Sequence, residues 1–309
     1  MKIVVTGGSG FIGSHIVEEL SKVKKNKIFI FDIAKPDFNL PKNVKYIDGD
    51  ISYKTSIDKA VKGATELYDC AGVLGTHELV YQTERAIDTN IKGAFNVIQS
   101  CIDNNIKRIF HPTKPYFKTY WENTYTISKI TAENFCRMFR EVYNMDITIL
   151  RWMNASGPRQ HLFPVRKFVP LVICQALMNR DIQIYGTGKQ TVDIIDVRDI
   201  AKIAIKAVRS GLGKSKEVLD VGSGHAISCN DLAKKIIRMT NSKSKIVHVP
   251  MRVGEALNTK IIAKTHKKLF KQLSYKPKFT LDETIQNCID YTESLGDDYL
   301  LKTLNFYQK

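Results

Sequence analysis

The opening of the chain is its strongest constraint. Ile3-Val4-Val5 is a short β-branched run without polar alternation, as a strand buried on both faces requires. It breaks at once into Gly7-Gly8-Ser9-Gly10-Phe11-Ile12-Gly13. The residues that follow, Ser14 to Leu20, set Ile16, Val17 and Leu20 on one side of a helix. The first stretch is therefore a strand, a glycine turn and a helix.

Each glycine in the turn has its own physical task. Gly7 permits the tight turn, Gly10 lets the backbone approach a pyrophosphate, and Gly13 lets the helix pack closely on the strand. The helix N-terminus, with Phe11 and Ile12 in its first turn, offers unpaired N–H groups and a partial positive charge to phosphates. A second apolar run, Lys27 to Phe31, ends in Asp32, about 20 residues beyond the glycines, where a carboxylate can accept both ribose hydroxyls of an adenosine. An anion there repels a 2′-phosphate, so the pattern favours NAD over NADP. A structural turn followed by a helix-capping Asp is the competing reading.

At 309 residues the chain can bury one large core or two modest ones. Its 43% hydrophobic and 25% charged residues are ordinary for a soluble globular protein. No apolar run approaches the ~18 residues of a membrane span, and Ile3-Val4-Val5 runs straight into the glycine turn, unlike a signal peptide. The six cysteines are widely spaced, with no Cys-x-x-Cys pair, which fits free thiols in a reducing cytoplasm and no metal site. The net charge of +16 is scattered, without the aromatic interleaving that stacks bases. A solvated basic surface is expected, with no nucleic-acid or membrane partner; a diphosphate-bearing small substrate also suits it.

Further along, Val44 to Ile47 reads as a third strand ending at Asp48-Gly49-Asp50-Ile51. There Asp50 and Ile51 are placed to bond and cover an adenine edge, although a helix N-cap is an equal reading of Asp50. Leu67 to Asp69 is a fourth strand running into Cys70-Ala71-Gly72, small enough to admit a ribose or nicotinamide. His77 and Glu78, in the next loop, line a pocket or belong to a solvated loop. Thr89 to Ile98, which includes Asn90, is helical in period, and Ile106 to Phe110 is a fifth strand. This alternation predicts an α/β fold with a doubly wound parallel sheet, whose ligands sit at the strands' carboxyl ends.

His111-Pro112-Thr113-Lys114-Pro115 follows the fifth strand, its prolines fixing a loop. Twelve residues beyond Thr113 comes Tyr125-Thr126-Ile127-Ser128-Lys129, in a helix-compatible run to Tyr143. On a helix, Tyr125 and Lys129 project from one face a turn apart, where the ammonium lowers the phenol's pKa and can grip a ribose. A second Tyr-x-x-x-Lys match, Tyr185 to Lys189, contains two glycines and is not expected to be helical.

The glycine turn, Asp32, Asp50-Ile51, Thr113, Tyr125-x-x-x-Lys129 and Arg151 to Pro158 resemble the extended short-chain dehydrogenase/reductase superfamily. Within it the chain looks like the NAD-dependent epimerase/dehydratase family that acts on nucleotide sugars. The likeness extends through Asp193 to Asp199, Val221 to Gly224 and Met251 to Glu255. It implies a Rossmann-type sheet with NAD held by Gly7, Gly10, Phe11, Ile12, Asp32, Asp50, Ile51, Cys70, Ala71, Gly72, Asn90, Tyr125 and Lys129. Tyr125 is then the acid or base at a sugar hydroxyl, Lys129 its electrostatic partner, and Thr113 the hydroxyl that bonds the reacting oxygen. Asn154 and Arg252 are candidates for a nucleotide diphosphate.

Departures from the family pattern narrow the reaction. Dehydratases usually carry Asp-Glu directly after the Thr, and decarboxylating relatives a Glu, whereas this chain has Lys114-Pro115. An epimerase is the best remaining choice, ahead of a keto-sugar or other carbonyl reductase, dehydrogenase or dehydratase. A non-catalytic dinucleotide or nucleic-acid binder is the alternative of another class. Val192 stands where the family often has a phosphate-gripping Arg, for which Arg159, Arg166 or Lys189 can substitute. His111 and Lys114 recognise an anionic sugar group or are surface residues.

Residues 1–155 form the expected dinucleotide-binding domain, with later segments returning to it, and 156–309 mostly a smaller substrate lobe. There Phe168 to Leu177, Asp199 to Val208, Asp231 to Met239 and Leu281 to Tyr291 read as helices, Glu217 to Val221 as a strand, and Gly186-Thr187-Gly188 as a hairpin or turn. Pairing through helices that flank the sheet is common among relatives, which implies a homodimer.

Overall fold

The computed structural model describes residues 1–115, 123–256 and 259–308. Its chain begins β1 (Lys2–Thr6), α1 (Phe11–Ser21), β2 (Lys27–Asp32), β3 (Val44–Asp48), α2 (Lys54–Val61) and β4 (Glu66–Asp69). Next, α3 (Thr83–Ala86) passes through a π-helical turn, Ile87–Gly93, into α4 (Ala94–Asp103). β5 (Arg108–Thr113), α5 (Thr124–Val142) and β6 (Asp146–Trp152) follow. The second half comprises β7 (Asn154–Ser156), α6 (Phe168–Leu177), β8 (Ile182–Tyr185), β9 (Thr191–Asp196), α7 (Val197–Arg209), β10 (Val218–Val221), β11 (Ala226–Ser228), α8 (Cys229–Met239), β12 (Ile246–Val249), α9 (His266–Gln272), α10 (Leu281–Ser294) and α11 (Asp297–Gln308).

Seven strands form one sheet in the order β3-β2-β1-β4-β5-β6-β10, every neighbouring pair parallel. Strand order reverses between β1 and β4, and a crevice opens at the carboxyl ends there. Because strand side chains alternate, β1 feeds two cores. Ile3 and Val5 pack with Ile16, Ile200 and Ala204 under α1 and α7, while Val4 packs with Val97, Ile98 and Phe139 under α4 and α5. Each such apolar side chain, fully buried, contributes about 1.5–3 kcal/mol, which explains the absence of polar alternation in this strand.

The smaller lobe has its own core, with Val172, Ile173, Ile182, Ile184, Leu232, Ile236 and Ile285 at its centre. β9 pairs with β7 and β11, and β8 pairs in parallel with β12. The Gly186–Gly188 segment is thus a turn between two sheets and not a hairpin. The carboxylate of Asp193, fully buried on β9, accepts the N–H groups of Ser223, Gly224 and Ala263 at 2.7, 3.0 and 2.8 Å, binding three segments of the lobe together. Among the described residues no helix is long and apolar enough to cross a membrane.

Candidate active site

The glycine turn has the shape its sequence requires. Gly7 lies at φ +64°, and a Cβ there would sit 2.6 Å from the Cys70 carbonyl and the Ala71 nitrogen. A Cβ on Gly13 would fall 2.1 Å from the Gly7 oxygen, so α1 meets the turn too closely for any side chain. At Gly10 only the Gly7 oxygen is near, at 3.3 Å, which leaves the rest of that surface free for a ligand's approach. The first-turn N–H groups of Phe11 and Ile12 have no acceptor among the described residues. A cradle of this kind fits a pyrophosphate.

Asp32 ends β2 beside the turn. Its Oδ2 accepts the Ser9 N–H at 3.0 Å and its Oδ1 the Ala34 N–H at 3.1 Å, and each oxygen retains a lone pair for a ribose hydroxyl. Asp50 accepts the Ser52 N–H at 2.8 Å, while the N-cap of α2 is Tyr53, so the capping reading of Asp50 does not hold. Ile51 is only 4% exposed and packs against Gly93 and α4. Asn90 spends its amide on the Val73 backbone, both bonds at 2.9 Å, and on Ser128 Oγ at 3.0 Å. It pins the loop after β4 to α5 and does not itself line the cleft.

The cleft encloses about 520 Å³ and is lined by Phe11, Ile12, Cys70, Ala71 and Gly72 on one side and by residues of the smaller lobe on the other. Thr113, Tyr125 and Lys129 all line it. Tyr125 and Lys129 lie one turn apart on α5, whose start is fixed by Asn123, with Oδ1 accepting the Thr126 N–H at 2.8 Å. Thr113 ends β5, and its buried Oγ1 has no hydrogen-bond partner among the described residues. A buried hydroxyl in this position is available to bond a ligand's oxygen.

The expected lowering of the phenol's pKa is not seen. Burial pushes Tyr125 up to about 12. Burial also lowers the Lys129 ammonium, outweighing the opposing charges of Asp69, Cys136, Cys70 and Glu133. For both groups desolvation outweighs the neighbouring charges.

His111 matches neither role expected of it. It is 1% exposed, and its Nδ1 lies 3.0 Å from Asp69 Oδ2, while Asp69 Oδ1 accepts the Thr6 hydroxyl at 2.6 Å. Burial holds its pKa below the usual range, helped by the charge of Lys129. It is an internal tie between β4 and β5. Lys114 does line the cleft. Its Nζ donates to Thr126 Oγ1 at 2.6 Å, lies 5.5 Å from the Tyr125 ring centre, and is lowered to about 8 by burial.

Asn154 lines the cleft and accepts the Asp193 N–H at 3.3 Å. Arg252 also lines it, bonded to Glu255 and, at 3.4 Å, to Glu78, with its guanidinium 5.0 Å from the Tyr185 ring centre. Burial opposes its charge, but Glu255 and Glu78 raise the pKa overall. Glu78 is therefore neither a solvated loop residue nor part of the lining; it holds Arg252. Arg159 is not among the lining residues. It bonds Glu18 at 2.7 Å and His15 at 2.8 Å outside the cleft, 5.3 Å from the Phe38 ring centre.

Sequence reasoning missed Asn123 and Lys167, and it named Arg166 only as a substitute. Lys167 lines the cleft at the start of α6, lowered to about 8 chiefly by burial. Its signal in the sequence was the Arg166-Lys167 pair directly before the apolar run of α6.

A sequence profile of the NAD dependent epimerase/dehydratase family matches residues 3–222. The chain belongs to this family. Members described as enzymes of nucleotide sugars resemble it along most of its length. A UDP-N-acetyl-alpha-D-glucosaminuronate decarboxylase of Bacillus cytotoxicus is 30% identical over 81% of this chain and 83% of its own. A putative UDP-glucose 4-epimerase of Methanocaldococcus jannaschii is 25% identical over 94% and 98%. Among solved structures, a UDP-N-acetylglucosamine 4-epimerase from Methanobrevibacter ruminantium, in complex with UDP-N-acetylmuramic acid, superposes with a TM-score of 0.82 at 26% identity, covering 96% and 99% of the two chains. As a member of the family, the protein is an enzyme that uses NAD, and the cradle formed by Gly7, Gly10, Asp32 and the start of α1 is suited to hold it.

Proposed function

We propose that the protein is an NAD-dependent epimerase of a nucleotide-diphosphate sugar. Among the described residues, Glu255 is the only carboxylic acid in the cleft lining, and it is paired with Arg252 and accepts the Thr76 hydroxyl at 3.1 Å. That observation carries the reading. Elimination of water needs a positioned acid and base beside the sugar, and the positions after Thr113 are Lys114 and Pro115.

When bound, NAD accepts a hydride from a sugar carbon and can return it to the opposite face. The chain's own groups handle the proton. Tyr125 takes it as the phenolate and gives it back as the phenol, the Thr113 hydroxyl steadies the reacting oxygen, and the Lys129 ammonium stabilises the phenolate before the proton arrives and after it leaves. Asn154 and Arg252 orient the nucleotide end of the substrate. Incubation with UDP-, dTDP-, GDP- and CDP-sugars should yield a product of unchanged mass. Loss of the mass of water or of carbon dioxide would replace epimerisation with dehydration or with the reaction named for the Bacillus cytotoxicus relative.

The apolar outer faces of α4 and α5 support a homodimer. Phe95, Ile127, Met138 and Val142 are exposed there, Val142 to 67%. A C2 pair would cover this stripe with its own copy. Light scattering coupled to size exclusion should give twice the chain mass, and Met138→Lys with Val142→Glu should halve it.

A further inference from the structure

Arg252 alone leaves one charge of a diphosphate unmatched. A diphosphate is best held by more than one cation, and β9 presents Val192 to the cleft where a second arginine would serve. Three residues were candidates to replace it. Arg159 is engaged with Glu18 outside the cleft, and Lys189 is exposed and absent from the lining. Arg166 lines the cleft.

The surroundings of Arg166 suit an anion. Its guanidinium lies 4.5 Å from the ring centre of Tyr307 on α11 and 5.3 Å from that of Tyr185. Arg252 shares the Tyr185 ring at 5.0 Å. Both carboxylates nearby, Glu78 and Glu255, bond the Arg252 guanidinium, whereas Glu78 reaches only the backbone N–H of Arg166, at 3.1 Å. Among the described residues the Arg166 guanidinium bonds only neutral oxygens, Gln183 Oε1 and the Tyr307 carbonyl, both at 3.4 Å. Two guanidinium groups on one ring repel each other. Burial disfavours the Arg166 cation most, and the Arg252 charge adds to it, against the opposing influence of Tyr185, Tyr307 and Glu78. An anion between the two removes that conflict, and a planar guanidinium suits a phosphate in a bidentate way.

We infer that Arg166, held between Tyr185 and Tyr307, grips the substrate's diphosphate together with Arg252, in place of a cation on β9. Tyr307 is a positioning residue, itself anchored by its hydroxyl on the Leu162 carbonyl at 2.8 Å. The inference rests on the nucleotide-sugar reading, and the test separates the two.

Calorimetric titration of the NAD-loaded protein with UDP, dTDP, GDP and CDP, each beside its monophosphate, should show at least one diphosphate bound more tightly. Arg166→Ala should weaken that diphosphate about 10- to 100-fold, with NAD affinity unchanged. Adding Val192→Arg to Arg166→Ala should recover most of the loss. Undiminished binding by Arg166→Ala overturns the assignment of Arg166 alone; a wild type that binds none of the four diphosphates overturns the nucleotide-sugar reading with it. Should Arg166→Ala not fold, Arg166→Lys decides the matter, since it keeps the charge but loses the fork, and unaltered affinity there counts against the inference.

Discussion

Asn123 joins α5, the helix of Tyr125 and Lys129, to the loop that carries Arg252. Its Oδ1 caps α5 through the Thr126 N–H, and its Nδ2 donates to the Gly254 carbonyl at 3.0 Å. Gly254 lies at φ +81°, and a Cβ there would meet the Thr76 oxygen at 2.7 Å, so the loop is held from both sides. Asn123→Ala should cost about 1 kcal/mol for the cap and raise KM by loosening Arg252. Asn123→Asp keeps the capping oxygen and loses the donor. It should restore the unfolding temperature without restoring KM, and full recovery of both would show that the bond to Gly254 has no part in binding.

The contact of Gly13 with the Gly7 oxygen gives a second test. Gly13→Ala brings a methyl carbon to 2.1 Å from that oxygen and forces α1 outward. Overpacking of this kind costs about 1–3 kcal/mol, and it moves the N–H groups of Phe11 and Ile12 away from a pyrophosphate. Fluorescence titration with NADH should show at least tenfold weaker binding. Unchanged affinity would remove the turn from the cofactor site.

The first half of the fold was legible because its signals are local. Ile3 to Val5, the glycine spacing and the Tyr125–Lys129 interval each fix structure within a few residues. The electrostatics were not legible, because they depend on burial. The lowered phenol failed for that reason: nothing in Tyr125-x-x-x-Lys129 reports how deep in the cleft the pair lies. His111 reads as a polar residue beside an active-site loop until Asp69 is seen across from it on β4. Likewise, Arg159 and Arg166 are equivalent in sequence, and only the fold sends one to Glu18 and the other into the cleft.

That separation makes a paired prediction. Arg159→Ala should leave KM unchanged and cost well under 1 kcal/mol, as partly exposed ion pairs do. Arg252→Ala strands Glu78 and Glu255 and removes a cation from the cleft, so KM should rise at least tenfold. Equal effects of the two substitutions on KM would contradict the placement of Arg159.

For the chemical step, Tyr125→Phe should lower kcat by about 100- to 10,000-fold, the span of a lost acid–base group, with NAD binding intact. Thr113→Val removes the unpartnered hydroxyl without leaving a cavity. It should lower kcat more than it raises KM, because its bond to the reacting oxygen strengthens only as charge develops there. A Thr113→Val enzyme with wild-type kcat would place the reacting oxygen elsewhere.

Lys167 supplies a test of electrostatics that needs no substrate. Burial lowers its ammonium from 10.5 to about 8 in the folded protein. Between those values the unfolded chain binds more protons than the folded one, so this group makes stability rise with pH across that window. Below about 8 both states carry the charge, and the folded state bears the full cost of keeping it dehydrated. Lys167→Met, which retains the length of the side chain without the charge, should therefore raise the unfolding temperature at pH 7. The gain should shrink as the pH approaches 10.5, where the wild-type lysine is neutral in the folded state. Thermal melts of both proteins at several pH values measure this directly. A gain that does not depend on pH would mean that methionine simply packs better, and a loss of stability at pH 7 would show that the ammonium is well solvated in the cleft.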